Sequence, residues 1–139
     1  MQKTNVKKRV LLIAPYSNHT LRVGQYLSPP LGLYRIASYI AEWADVKVYD
    51  PNINGLSRLY KLIDDNHYDI IGFSLLYPTL KNDLKILFSL KDKSPNSLFI
   101  AGGQGASFIA DFLLKNTPIG VIIKGFGEEA MKEIVMNLP

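Results

Sequence analysis

Residues 70–103 read IIGFSLLYPTLKNDLKILFSLKDKSPNSLFIAGG, and this stretch decides the fold. Ile70 to Ser74 is a short, unbroken apolar run, the composition of a strand covered on both faces. Leu80, Leu84, Leu87 and Phe88 then recur at helical spacing. A second apolar run, Leu98 to Ala101, ends in Gly102-Gly103. Strand, helix and strand in that order make two parallel strands joined by a right-handed crossover.

The same alternation continues in both directions. Val10 to Ala14 and Val121 to Ile123 are further unbroken apolar runs, so four strands are expected at the parallel centre. Val46 to Tyr49 is shorter, is interrupted by Lys47 and follows the break at Trp43-Ala44-Asp45, which suits a sheet edge. Helical stripes fall at Leu33, Ile36, Ala37, Ile40 and Ala44, and at Leu56, Leu59, Tyr60 and Ile63. Two more run through Phe108, Ile109, Phe112 and Leu113, and through Ala130, Met131, Ile134, Val135 and Leu138. Five strands alternating with five helices predict an α/β, doubly wound, Rossmann-like sheet of flavodoxin-like order 2-1-3-4-5 with helices on both faces.

Composition bounds the chemistry. At 139 residues the chain is expected to be one domain, 1–139, with a basic polar tail at residues 1–9. It contains no cysteine, which excludes disulfides, thiolate metal sites, cysteine nucleophiles and iron–sulfur clusters within it. Two well-separated histidines, His19 and His67, offer little to zinc, and His67 reads as a surface residue. The net charge of +4 comes from Lys3, Lys7, Lys8 and Arg9, because residues 10–139 hold 12 charges of each sign. A nucleic-acid partner is therefore not expected. The longest apolar run is far shorter than a membrane span, so the expectation is a soluble, cytoplasmic protein without a membrane partner.

In a doubly wound sheet, ligands bind beyond the carboxyl ends of the strands. Those ends are residues 15–30, 74–79, 102–107 and 124–127. The first, PYSNHTLRVGQYLSPP, is long for a strand-to-helix connection and reads as a surface loop or a functional one. Pro30 can open the next helix. Ser74 is a helix cap, a satisfied core polar group or a ligand contact. Tyr77-Pro78-Thr79 follows, with Thr79 suited to cap the helix or to touch a cofactor. Gly102 and Gly103 either permit a tight turn or let the backbone approach a bulky ligand, and Gln104 points its amide at the same crevice. Gly125-Phe126-Gly127 precedes Glu128 and Glu129, acids that suit a helix first turn without any ligand. A receiver domain would need an acidic pair and a phospho-accepting aspartate where Ala14-Pro15 and Ser74-Leu75 stand. No residue set suits catalysis by this chain alone.

Three landmarks carry a family resemblance: Pro29-Pro30-Leu31-Gly32, Ser74-Leu75-Leu76, and Gly102-Gly103, separated by residues 33–73 and 77–101. Their layout resembles the cobalamin-binding domain, whose pattern is D-x-H-x-x-G, S-x-L and G-G. Aligned on Gly32, Leu27 stands at the aspartate and Pro29 at the cobalt-ligating histidine. That loss, with PPLGLYRIASYI at residues 29–40, is similar to the N-terminal domain of B12-dependent radical SAM enzymes, of methyltransferase or tetrapyrrole cyclase type.

The resemblance implies cobalamin held base-off and His-off, with its benzimidazole tail threaded into the sheet. Ser74 would hydrogen-bond that tail, Leu76 would wall its channel, and Tyr77, Thr79, Gly102, Gly103, Gln104, Gly125, Phe126 and Gly127 would be further cofactor contacts. Phe126 replaces a usual glutamate and would cover the benzimidazole face. Residues 15–30 would lie beneath the corrin, with His19 the one side chain that could substitute for the missing ligand. Family members continue into a barrel that binds S-adenosylmethionine and a 4Fe-4S cluster. The expected partner is thus that radical SAM barrel, in cis if the chain is a fragment, or a partner protein if it stands alone. A standalone flavodoxin-like FMN or nucleotide site, or a non-catalytic interaction domain, is the alternative.

Overall fold

In the computed structural model, which describes residues 6–17 and 29–139, the apolar runs pair as one parallel sheet. Its strands are β1 (Lys8–Ile13), β2 (Ala44–Tyr49), β3 (Ile70–Ser74), β4 (Leu98–Gly102) and β5 (Ile119–Ile122), in the order β2-β1-β3-β4-β5. The predicted topology is the one observed. Register sets Val10 beside Ile70 and Ser74 beside Gly102.

Alternation along the strands feeds two cores. Leu11, Ile13, Ile71, Phe73 and Phe99 face one side, and Val10, Leu12, Ile70 and Ile100 the other. The first side is covered by α3 (Leu56–Asp65), α4 (Leu80–Lys93), α5 (Gln104–Phe108) and α6 (Ala110–Asn116). The second is covered by α1 (Leu31–Ile40) and α7 (Glu128–Asn137), through Leu33, Ile40, Met131 and Val135. A short α2 (Pro51–Asn54) precedes α3, capped by Asp50, whose side chain accepts from the Asn52 N–H at 2.9 Å. At the amino end of the sheet, Lys8 Nζ donates to the Pro139 carbonyl at 2.7 Å.

Several expectations need correction. β5 is the second edge, so three strands rather than four are internal, and Gly120 sits at a register shift against Phe99 and Ile100. Ala44 starts β2 instead of finishing the first helical stripe. The stretch after β4 is two helices broken at Ile109, which turns Phe108 (91% exposed) and Phe112 outward while Leu113 stays in the core. Phe88 is likewise half-exposed. His67 is on the surface as expected, 3.5 Å from Asp69. Among the described residues, no helix is long and apolar enough to cross a membrane.

Leu11 is fully buried in the second strand of the sheet. Leu11→Ala should lower the unfolding free energy by about 2–5 kcal/mol in urea titration. Phe108→Ser should change it by less than about 0.5 kcal/mol.

Candidate functional site

β3 and β4 end side by side, and the Leu75 N–H donates to the Gly102 carbonyl at 2.9 Å, extending the ladder one residue past Ser74. On the face covered by α1 and α7, these strand ends leave a cleft of about 570 Å³. That is within the ordinary range of small-molecule sites. Its floor is apolar and buried: Leu12, Gly72 and Ile100 from the strands, with Ile123 beside β5. Gly72 adds to the space, since a Cβ there would come within 2.9 Å of Leu12 Cδ2 and push that side chain aside. Its mouth is exposed and charged, with Arg35 from α1, Glu128 from α7 and Phe126 (86% exposed) between β5 and α7.

Of the residues expected from sequence, Ser74, Leu76, Gly102, Gly103, Gly125, Phe126 and Gly127 border this cleft. Tyr77, Thr79 and Gln104 are not among its lining residues. Tyr77 is 86% exposed on a 3-10 turn spanning Tyr77–Thr79, and Gln104 is exposed at the start of α5. Thr79 does not cap α4 with its side chain; its Oγ1 donates to Asp83 Oδ2 at 2.7 Å.

Gly103 has a strong requirement for glycine that owes nothing to a ligand. Its φ is +89°, and a Cβ would stand 2.8 Å from the Leu75 carbonyl oxygen and 3.3 Å from Ser74 Oγ. Gly105 is similar, with a Cβ position 2.9 Å from the Leu75 oxygen, which accepts the Gly105 N–H at 2.8 Å. Together they let the first turn of α5 pack directly on the end of β3. Gly102 differs: a Cβ there would meet the Ile123 carbonyl at 3.5 Å, an ordinary contact.

The segment leaving β1 is held from two sides by polar groups that sequence reasoning missed. Asn52 Oδ1 accepts the Ser17 N–H at 2.9 Å, and Asn52 Nδ2 donates to the Pro15 carbonyl at 2.7 Å. The same Nδ2 donates to the buried Asp50 carboxylate at 2.8 Å. From α4, Asp83 Oδ1 accepts the Tyr16 N–H at 2.8 Å. Asp83 is 1% exposed, and burial pushes its carboxyl up to about 6, against the opposing pull of its bonds from Thr79 and Tyr16. A legible signal existed: Asp83 shares the helical spacing of the buried Leu87 and Leu90.

His19 and Leu27, like most of residues 15–30, lie outside the described residues. Among the described residues, no group of three or more histidines, cysteines or carboxylates could hold a metal ion. Pro29 and Pro30 border the cleft, and Pro29 brings no donor atom in its side chain.

The sequence model of the B12 binding domain matches residues 20–135. The chain belongs to the B12-binding domain family. A curated relative, an uncharacterized methyltransferase of Pyrococcus horikoshii, is 29% identical over 133 residues, covering 94% of this chain and 29% of the relative. The anaerobic magnesium-protoporphyrin IX monomethyl ester cyclase of Rubrivivax gelatinosus is 28% identical over 134 residues, covering 91% and 24%. The chain thus spans less than a third of these relatives' length. Among solved structures, the cobalamin-dependent S-adenosylmethionine radical enzyme OxsB with aqua-cobalamin bound superposes with a TM-score of 0.69. That match has 21% identity and covers 94% of this chain and 19% of OxsB; at this identity it speaks to the fold alone.

Two outcomes test the site's frame. Gly103→Ala should cost about 1–3 kcal/mol in thermal or urea unfolding even without ligand, because its backbone conformation is nearly exclusive to glycine. Asp83 binds its proton more tightly folded than unfolded, so its contribution favours the fold at pH 4 and is lost as pH rises toward 6. The unfolding free energy of the wild type relative to Asp83→Asn should therefore fall by about 2 kcal/mol between pH 4 and 7.

Proposed function

We propose that this domain binds cobalamin with its benzimidazole nucleotide tail inserted in the cleft, off the cobalt, and with no protein imidazole on the lower cobalt face. The observation that carries this is the Ser74–Gly102 pair at the strand ends that border an apolar, glycine-floored slot. The residues fit the group. A flat aromatic base suits the apolar floor of Leu12, Ile100 and Ile123, and the backbone at Gly72 and Gly102 leaves room for it. Ser74 brings a hydroxyl to the same end of the floor. A whole corrinoid far exceeds 570 Å³, so the corrin would lie outside the mouth. There it would meet the strand-1 exit at residues 15–17 and Pro29-Pro30.

Bound cobalamin supplies cobalt–carbon chemistry. The chain's own residues bind and orient it, and Asp50, Asn52 and Asp83 fix the segment on which it would rest. Pro29 at the histidine position supports the His-off arrangement. The relatives' names support a place in a longer radical SAM protein, a methyltransferase or a cyclase, with S-adenosylmethionine and the 4Fe-4S cluster held by a barrel outside these residues. No residue here is proposed as catalytic.

Titration with hydroxocobalamin should give saturable absorbance changes, and failure to bind at high protein concentration would defeat the reading. The Co(II) form should show an electron paramagnetic resonance spectrum without nitrogen triplet splitting. Triplets that vanish in His19→Ala would replace the His-off proposal with a ligand from the first loop.

A further inference from the structure

Three charged side chains border the cleft among the described residues: Arg35, Asp50 and Glu128. Arg35 is the single cation among these three, and of the two carboxylates Asp50 is buried and committed to Asn52, which leaves Glu128 beside Arg35. Its side chain is 68% exposed on the flank of α1, at the mouth. Its Nε lies 3.6 Å from Glu128 Oε1, an ion pair longer than a hydrogen bond, and its guanidinium carbon is 6.0 Å from the Phe126 ring centroid. The guanidinium is thus kept at the rim by a ring and a carboxylate without being used up by either.

Resting on the cobalamin reading above, we infer that Arg35 recognises the phosphodiester of the nucleotide tail, and that Glu128 is its resident counter-ion. A tail with its base on the apolar floor and its corrin outside must carry its phosphate past the mouth. A planar guanidinium is suited to bidentate contact with phosphate oxygens. Glu128 would hold Arg35 in place while the cleft is empty and oppose the incoming anion when it is filled. The two residues therefore influence affinity with opposite sign.

Cobinamide, the same corrin without phosphate and nucleotide, separates this role from general corrin binding. Arg35→Gln should weaken hydroxocobalamin binding about tenfold in absorbance titration, as expected for losing a charged hydrogen bond, and cobinamide binding by less than about twofold. Arg35→Lys should recover part of the loss, and Glu128→Gln should tighten cobalamin binding. Added salt should weaken the wild type more than Arg35→Gln, a readout that stands even if cobinamide binds too weakly to measure. The melting temperature of Arg35→Gln should stay close to wild type. Undiminished cobalamin binding by Arg35→Gln, or equal losses for both corrinoids, would overturn this inference alone. A wild-type protein that binds neither corrinoid would overturn the cobalamin reading and this inference with it.

Discussion

Direct pairing of β1 with β3, while β2 lies on the other side of β1, is the constraint on which the cleft depends. The chain crosses one face through α1 to reach β2 and returns across the other through α2 and α3. Right-handed crossovers allow no other arrangement of these elements. The connections at the carboxyl ends of β1 and β3 are therefore drawn to opposite faces, and a crevice opens between them. α7 returns from the far edge to the same face as α1 and supplies the second wall.

Within that crevice, rigidity is concentrated where the chain turns. Gly103 and Gly105 press α5 onto Leu75 with no side chain between, so the end of β3 cannot shift independently of the end of β4. On the other side, the strand-1 exit is tied to α2 through Asn52 and to α4 through Asp83. A buried carboxylate is costly unless hydrogen-bonded. Here both oxygens of Asp83 are used, one by Tyr16 and one by Thr79, and a single side chain ties the start of α4 to the distant exit of β1.

The strands and their order were legible because unbroken apolar runs of four or five residues have few alternatives in a chain that also shows helical stripes. Ser74 and Gly102 were legible because position at a strand end fixes them. Phe108 and Phe112 were misread as core because periodicity reports an apolar face without reporting whether anything covers it, and the break at Ile109 reorients both. Tyr77, Thr79 and Gln104 are neighbours in sequence of residues at the cleft, but the 3-10 turn and the start of α5 carry them off its lining. Gly72 and Arg35 were not legible: one is an unremarked position within a strand, and the other reads as an ordinary solvated helix charge. Each acquires meaning only when α1, α7 and the strand ends are assembled around the same space.

The contact between Lys8 and Pro139 has a practical corollary. It brings the start of β1 and the end of α7 together at the opposite pole of the sheet from the ligand opening. The length of a six-residue strand, about 20 Å, separates the two poles. A reporter or solid support attached through the carboxyl end would leave the opening unobstructed.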